Sequence, residues 1–237
     1  MGNAVKAILF DSGRVLNEPV TGHWFITPNF FGFVDKNKFN SIAKSKREKA
    51  FLKAGEYISK QPLINTETAE YLHFLQYYRI LFENLPELGI ADEQIEGVAR
   101  DLVYNYEKYS FFSDIYEVVP RLSESYKLAV ISDAWPSLEN VFKHAGIRRY
   151  FSSFVISSVV GTSKPDEKMY ITALHELNIL PEEAIFVDDS IRNCDGAKKL
   201  GIRTYLLCRA FPRYLYNKIT CREHKVIKDI RCLYDIK

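Results

Sequence analysis

The 237-residue chain lacks any apolar run long enough to cross a bilayer. Nor does an apolar signal core precede the first strand-like run. The first absence excludes a membrane-spanning helix. Together the two leave a cytoplasmic chain with no membrane partner as the expectation. Charge of one sign is also missing. Lys and Arg number 32 against 30 Asp and Glu, a net charge of +2, so nothing demands nucleic acid or anionic lipid. Cysteine is sparse, and Cys194, Cys208, Cys221 and Cys232 all fall late in the chain. Their spacing fits neither a close-paired metal site nor a disulfide-dense domain, so reduced structural thiols are expected. There is no internal repeat and no low-complexity linker. What is present, 47% hydrophobic and 26% charged residues, suffices for a sizeable core and one or two domains.

The chain is organised around residues 8–16, ILFDSGRVL. Apolar residues run into Asp11 and then into a small-residue turn, the pattern of a fully buried strand. Residues 17–33 hold two prolines, two glycines and the aromatics Trp24, Phe25, Phe30, Phe31 and Phe33. They read as an irregular or hairpin-like segment whose rings pack. From Asp35 to about Tyr109 the periodicity is helical. One helix spans 66–84, capped by Thr66 or Thr68, with Tyr71, Leu72, Leu75, Tyr78, Leu81 and Phe82 as its buried face. Another opens at Asp92. The block shows no convincing strand and reads as a helical insertion.

Strands and helices then alternate. Strands are expected at 127–131, 154–156, 184–187 and 204–207, with a short one near Val226. Helices are expected at 115–126, 136–145, 165–177 (Pro165 in the first turn) and 191–200. This alternation implies an α/β fold with a doubly wound parallel sheet. The sheet domain comprises residues 1–16 and 111–237. A flap segment and helical domain occupy 17–110.

Open α/β sheets bind ligands at the carboxyl ends of their strands. Asp11, Ser132 and the pair Asp188-Asp189 end predicted strands, and Lys164 precedes a helix. The set holds a carboxylate able to act as nucleophile, a hydroxyl able to donate to a phosphoryl oxygen, and a cation. Its adjacent acids repel one another without a positive charge between them. Such an oxygen-rich site suits Mg2+. Taken singly, each group has an ordinary role. Ser132 would cap a helix, Lys164 would be a surface cation, and Asp188-Asp189-Ser190 would be an N-terminal cluster.

The stretches FDSGRVL (10–16), VISDA (130–134), SKPDEKMY (163–170) and FVDDSIRNCDGAKKLG (186–201) resemble the haloacid dehalogenase (HAD) superfamily. The likeness is to the branch with a helical cap inserted after the first motif. It implies that Asp11 is a nucleophile forming an aspartyl-phosphate and that the Gly13 carbonyl binds Mg2+. Ser132 would bond the transferring phosphoryl group, and Lys164 would balance charge there. Asp189 would ligate Mg2+, supported by Asp188. Asp133 and Arg14 join the candidate phosphate contacts, and Asn193 stands where that motif often carries a polar residue. The cap would close over the strand ends as a mobile cover.

One departure stands out. Most phosphatases of the superfamily carry a second Asp two residues after the nucleophile, as general acid and base. Here that place is Gly13, and Arg14 stands where Gly is usual. The subset resembling sugar-1-phosphate phosphatases also lacks the acid. The expectation is a Mg2+-dependent phosphatase of a small phosphorylated metabolite. Its competitors are a metal-independent 2-haloacid dehalogenase and a phosphate-binding or regulatory protein that has lost turnover.

Overall fold

The computed structural model describes residues 4–61 and 63–236. It opens with strand β1 (Ala7–Phe10) and the short β2 (Asn17–Pro19). A run of helices follows: α1 (Phe30–Phe33), α2 (Lys36–Ser41), α3 (Lys44–Ile58), α4 (Glu67–Glu83) and α5 (Asp92–Tyr104). Strand β3 (Tyr109–Phe111) pairs with β2. The chain then alternates: α6 (Ile115–Ser123), β4 (Lys127–Ser132), α7 (Ser137–His144), β5 (Ser153–Ile156), α8 (Ser157–Val160) and α9 (Glu167–Leu177). It ends with β6 (Ala184–Asp188), α10 (Ile191–Lys199), β7 (Arg203–Leu207), α11 (Phe211–Thr220) and β8 (Lys225–Ile227).

The chain divides into two compact units. One is Met1–Glu18, Phe111–Ala134 and Phe142–Lys237; the other is Pro19–Ser110 with Trp135–Val141. The first unit holds a six-stranded parallel sheet in the order β5-β4-β1-β6-β7-β8. All four residues of β1 are fully buried, as expected for a central strand covered on both faces. Alternate residues serve opposite faces. Ala7 and Leu9 join Met169, Tyr170, Ala173 and Ala197 of α9 and α10, while Phe10 turns the other way and meets Phe151 edge-on at 6.5 Å. Fully burying one such large apolar side chain is worth about 1.5–3 kcal/mol. The register sets Phe10 beside Val130 of β4 and Val187 of β6. Asp11, Ser132 and Asp188 therefore reach the same edge of three adjacent strands.

The second unit packs α3, α4 and α5 around Phe30, Phe74, Tyr77, Tyr78 and Leu81. The Thr66 hydroxyl caps α4 by accepting from the Ala69 N–H at 3.1 Å. The buried stripe of α4 is Glu70, Phe74, Tyr77, Tyr78, Leu81 and Phe82. Leu72 faces solvent at 59% exposure, which corrects its expected place on the buried face. The rings of 17–33 do pack, Phe25 against Tyr77 at 5.0 Å and Phe30 against Phe82 at 6.2 Å. A second correction concerns Pro165. Helix α9 starts at Glu167, with the Asp166 carboxylate accepting from the Lys168 N–H at 3.0 Å. Asp166 is the better cap because its oxygen satisfies a free first-turn donor, so Pro165 lies ahead of the helix. All four cysteines are free. Among the described residues no helix is long and apolar enough to cross a membrane.

Candidate active site

The site is built wholly within the sheet unit. Asp11 follows β1, and Asp188 ends β6 beside it. Lys164 comes from the connection between α8 and α9. Its ammonium donates to Asp11 Oδ1 at 2.5 Å and to Asp188 Oδ2 at 3.0 Å. The side chains of Lys164 and Asp188 are 1% and 0% exposed. A buried charge persists only when paired and hydrogen-bonded, and the two carboxylates meet that condition. The Lys164 N–H donates in turn to Asp133 Oδ1 at 2.9 Å, which fixes the main chain from which the ammonium reaches inward. Asp133 is itself exposed.

Asp188 spends both oxygens internally. Oδ1 accepts from the Ser190 N–H at 2.7 Å, and Oδ2 also accepts from Asn193 Nδ2 at 3.0 Å. The Asn193 carbonyl accepts from the Tyr170 hydroxyl at 2.9 Å. Asp188 thus anchors Lys164 and the start of α10. Gly196 lets α10 approach this region: a Cβ there would lie 2.6 Å from Pro165 Cβ and 2.8 Å from the Pro165 carbonyl oxygen.

The loop after Asp11 folds on one acceptor. The Ser12 carbonyl receives the N–H groups of Val15, Leu16 and Asn17, and the Arg14 N–H donates to the Asn17 carbonyl at 2.6 Å. Arg14 sits at φ +60°, the left-handed region that favours glycine. Its side chain is exposed. Arg209, beyond β7, clamps this loop. Its Nε and Nη2 donate to the Val15 carbonyl at 3.2 and 2.7 Å, its Nη1 bonds Asp114 Oδ2 at 3.0 Å, and its guanidinium lies 3.9 Å over the Phe112 ring. Ser132 is buried at the end of β4.

Burial pushes Asp11 up to about 7, with Lys164 opposing and Asp188 adding. Burial works against the charge on Lys164, but Asp11 and Asp188 outweigh it and hold the ammonium above its ordinary range. Lys164 is thus a cation held between two acids. Asp189 is also raised, by burial and by Asp188, with Arg213 and Arg14 opposing.

Carboxylate oxygens of Asp11, Asp188 and Asp189 lie within 4.8 Å of one another. Three acids face the buried Lys164 ammonium and, at Asp189, the Arg213 guanidinium, which still leaves net negative charge on hard oxygen donors. That donor set fits a small divalent cation such as Mg2+. The sequence pattern pointed to Asp11, Lys164, Asp188 and Asp189, and the structure brings these four together. Arg209 and Arg213 were missed. Their partners lie far away in sequence, and an arginine in a basic tail carries no local signal.

A family described as haloacid dehalogenase-like hydrolase matches residues 46–207. Among curated proteins, the chain is 29% identical over 130 residues to a glyceraldehyde 3-phosphate phosphatase of Methanopyrus kandleri, covering 50% of this chain and 54% of that one. It is 30% identical over 131 residues to a phosphoserine phosphatase of Thermus thermophilus, covering 53% and 51%. The matches thus span about half the length of these relatives. Among solved structures, a HAD phosphatase from Thermococcus onnurineus aligns over 98% of this chain and 99% of its own, at TM-score 0.65 and 19% identity. The L-2-haloacid dehalogenase of Xanthobacter autotrophicus aligns over 98% and 100%, at TM-score 0.65 and 16% identity. At such identities these structures speak for the fold.

Proposed function

The chain belongs to the haloacid dehalogenase-like hydrolases, and we propose that it is a Mg2+-dependent phosphatase acting on a small phosphorylated metabolite through an aspartyl-phosphate on Asp11. The observation that carries this reading is the buried Lys164 ammonium bridging Asp11 and Asp188, with Asp189 beside them. The names of the two curated relatives, both phosphatases of small metabolites, point the same way.

In this reading an Asp11 oxygen attacks phosphorus, and the bond from phosphorus to the leaving oxygen breaks with its electron pair on that oxygen. Ser132 donates to a phosphoryl oxygen, and Lys164 offsets negative charge between nucleophile and phosphate. Water then attacks the aspartyl-phosphate, which frees Asp11 and releases inorganic phosphate. Asp11, Asp189 and the Gly13 carbonyl would hold Mg2+, with Asp188 supporting them. A bound cation would supply charge neutralisation at the phosphoryl oxygens and favour the ionised form of Asp11.

Gly13 has no side chain to protonate the leaving oxygen. General acid catalysis is worth roughly 100- to 10,000-fold, so easily departing groups should fare best: aryl, acyl and anomeric sugar phosphates. The test is a substrate profile with and without Mg2+, together with Gly13→Asp. A primary alkyl phosphate cleaved as fast as a sugar-1-phosphate would show that the proton comes from elsewhere, and Glu18 and His23 would be the next residues to replace. Hydrolysis of 2-chloropropionate without Mg2+ would favour the dehalogenase. No turnover on either class would favour a phosphate-binding protein, the reading that Gly13 and Arg14 best support.

A further inference from the structure

We propose that Arg213 is a positioning residue that governs how tightly the acid cluster takes a divalent cation, because its guanidinium already occupies Asp189. The inference rests on the Mg2+ reading of that cluster. Arg213 lies on α11, beyond the residues that match the family. Its Nη1 bonds Asp189 Oδ2 at 3.2 Å, and its Nη2 donates to the Asp189 carbonyl oxygen. Side chain and main chain of one residue are therefore gripped by a single fork, a geometry that the compact ammonium of Lys does not reproduce.

The charges assign this contact a purpose. Lys164 bonds Asp11 and Asp188, whereas Asp189 pairs with Arg213. Arg213 thus gives Asp189 the neutralisation that a metal ion would otherwise give. An incoming cation meets the positive guanidinium and shares, or takes over, an oxygen that it holds. The arm is attached firmly at its base. Tyr214 packs on the cluster of Cys194, Leu206, Cys208 and Val226, and Asn217 Nδ2 donates to Cys208 Sγ at 3.3 Å. The Arg213 side chain is 46% exposed, so its tip can swing into water without disturbing that packing.

The test is calorimetric titration of Mg2+ into metal-stripped wild type, Arg213→Gln and Arg213→Lys, with thermal melts of each in the absence of metal. Exposed ion pairs are weak, and a nearby unit charge repels a divalent ion modestly in a high-dielectric setting. Arg213→Gln should therefore bind Mg2+ about two- to tenfold more tightly than wild type. Arg213→Lys keeps the charge, loses the fork and should fall between. General damage to the fold would weaken binding, so a gain in affinity cannot come from it. Binding by Arg213→Gln where wild type shows none would support the inference in its strongest form. Equal or weaker binding by both variants would overturn it while leaving the Mg2+ site standing. Absence of Mg2+ binding in all three proteins would overturn the site and the inference together.

Discussion

Replacing Lys164 with Met tests the centre of the site without touching Asp11. Met conserves much of the stem volume, so the change is mainly electrostatic. In the wild type the ammonium makes bonds of 2.5 and 3.0 Å to two carboxylates and is shielded from water, with its side chain 1% exposed. Its removal leaves Asp11 and Asp188 facing each other without a cation. Breaking a buried pair by deleting one partner costs about 3–5 kcal/mol, a large part of the stability of an ordinary domain. The pH dependence has a definite sign. Asp11 already titrates near 7 with Lys164 present, and loss of the cation moves it higher still. Between about pH 7 and 8 the folded variant then holds a proton that the folded wild type has released, so its deficit should widen as pH rises. Below about pH 6 both folded proteins hold that proton, so the deficit should level off at its smallest value. Urea unfolding of both proteins at several pH values, without metal, measures this. A variant within about 0.5 kcal/mol of wild type at neutral pH, or a deficit independent of pH, would refute the buried triad as the source of the effect.

Three other outcomes are expected. Asp11→Asn should remain folded and lose several orders of magnitude in phosphatase rate; full activity in the folded variant would end the covalent mechanism. Because burial raises Asp11 to about 7, Mg2+ binding below that pH must expel its proton. Apparent affinity should fall about tenfold per pH unit there, and titration in two buffers of different ionisation heat should show proton release; a flat profile between about pH 5.5 and 7.5 would count against Asp11 as a ligand. Gly196→Ala should destabilise by about 1–3 kcal/mol, since its Cβ would meet Pro165 at 2.6 Å. Pro165 follows Lys164, so activity should fall with stability, and unchanged unfolding and turnover would show that α10 moves aside freely.

Much of this architecture was legible because its signals are local. The runs AILF, KLAVI and AIFVD are short, apolar and bounded by turns, and each is a buried strand. Their terminal groups gather because parallel strands share one carboxyl edge, which is a property of topology rather than of any side chain. Thr66 was readable as a cap for the same local reason. The face of α4 was legible only in part, through Tyr78, Leu81 and Phe82. Apolar residues lie on several sides of that helix, and the choice of Phe74 and Tyr77 over Leu72 is made by α3 and α5. Sequence periodicity carries no record of which neighbours arrive.

The loop at 12–17 shows how much the motif leaves unsaid. An arginine at position 14 reads as a lost glycine, and the residue type alone suggests a damaged site. The backbone is nonetheless held in the left-handed conformation, at φ +60°. Such a residue costs about 1–3 kcal/mol and persists only where its surroundings over-determine it. Here three N–H groups converge on the Ser12 carbonyl, Asn17 Nδ2 donates to Ser12 Oγ at 2.8 Å, and Arg209 fixes the Val15 carbonyl from the far end of the chain. The turn that presents Gly13 beside Asp11 is therefore kept by contacts that do not depend on glycine at position 14. The substitution changes the charge at the rim of the site and leaves its main-chain scaffold in place. That separation explains how a sequence can depart from the motif it resembles at positions 13 and 14 and still assemble the acid cluster.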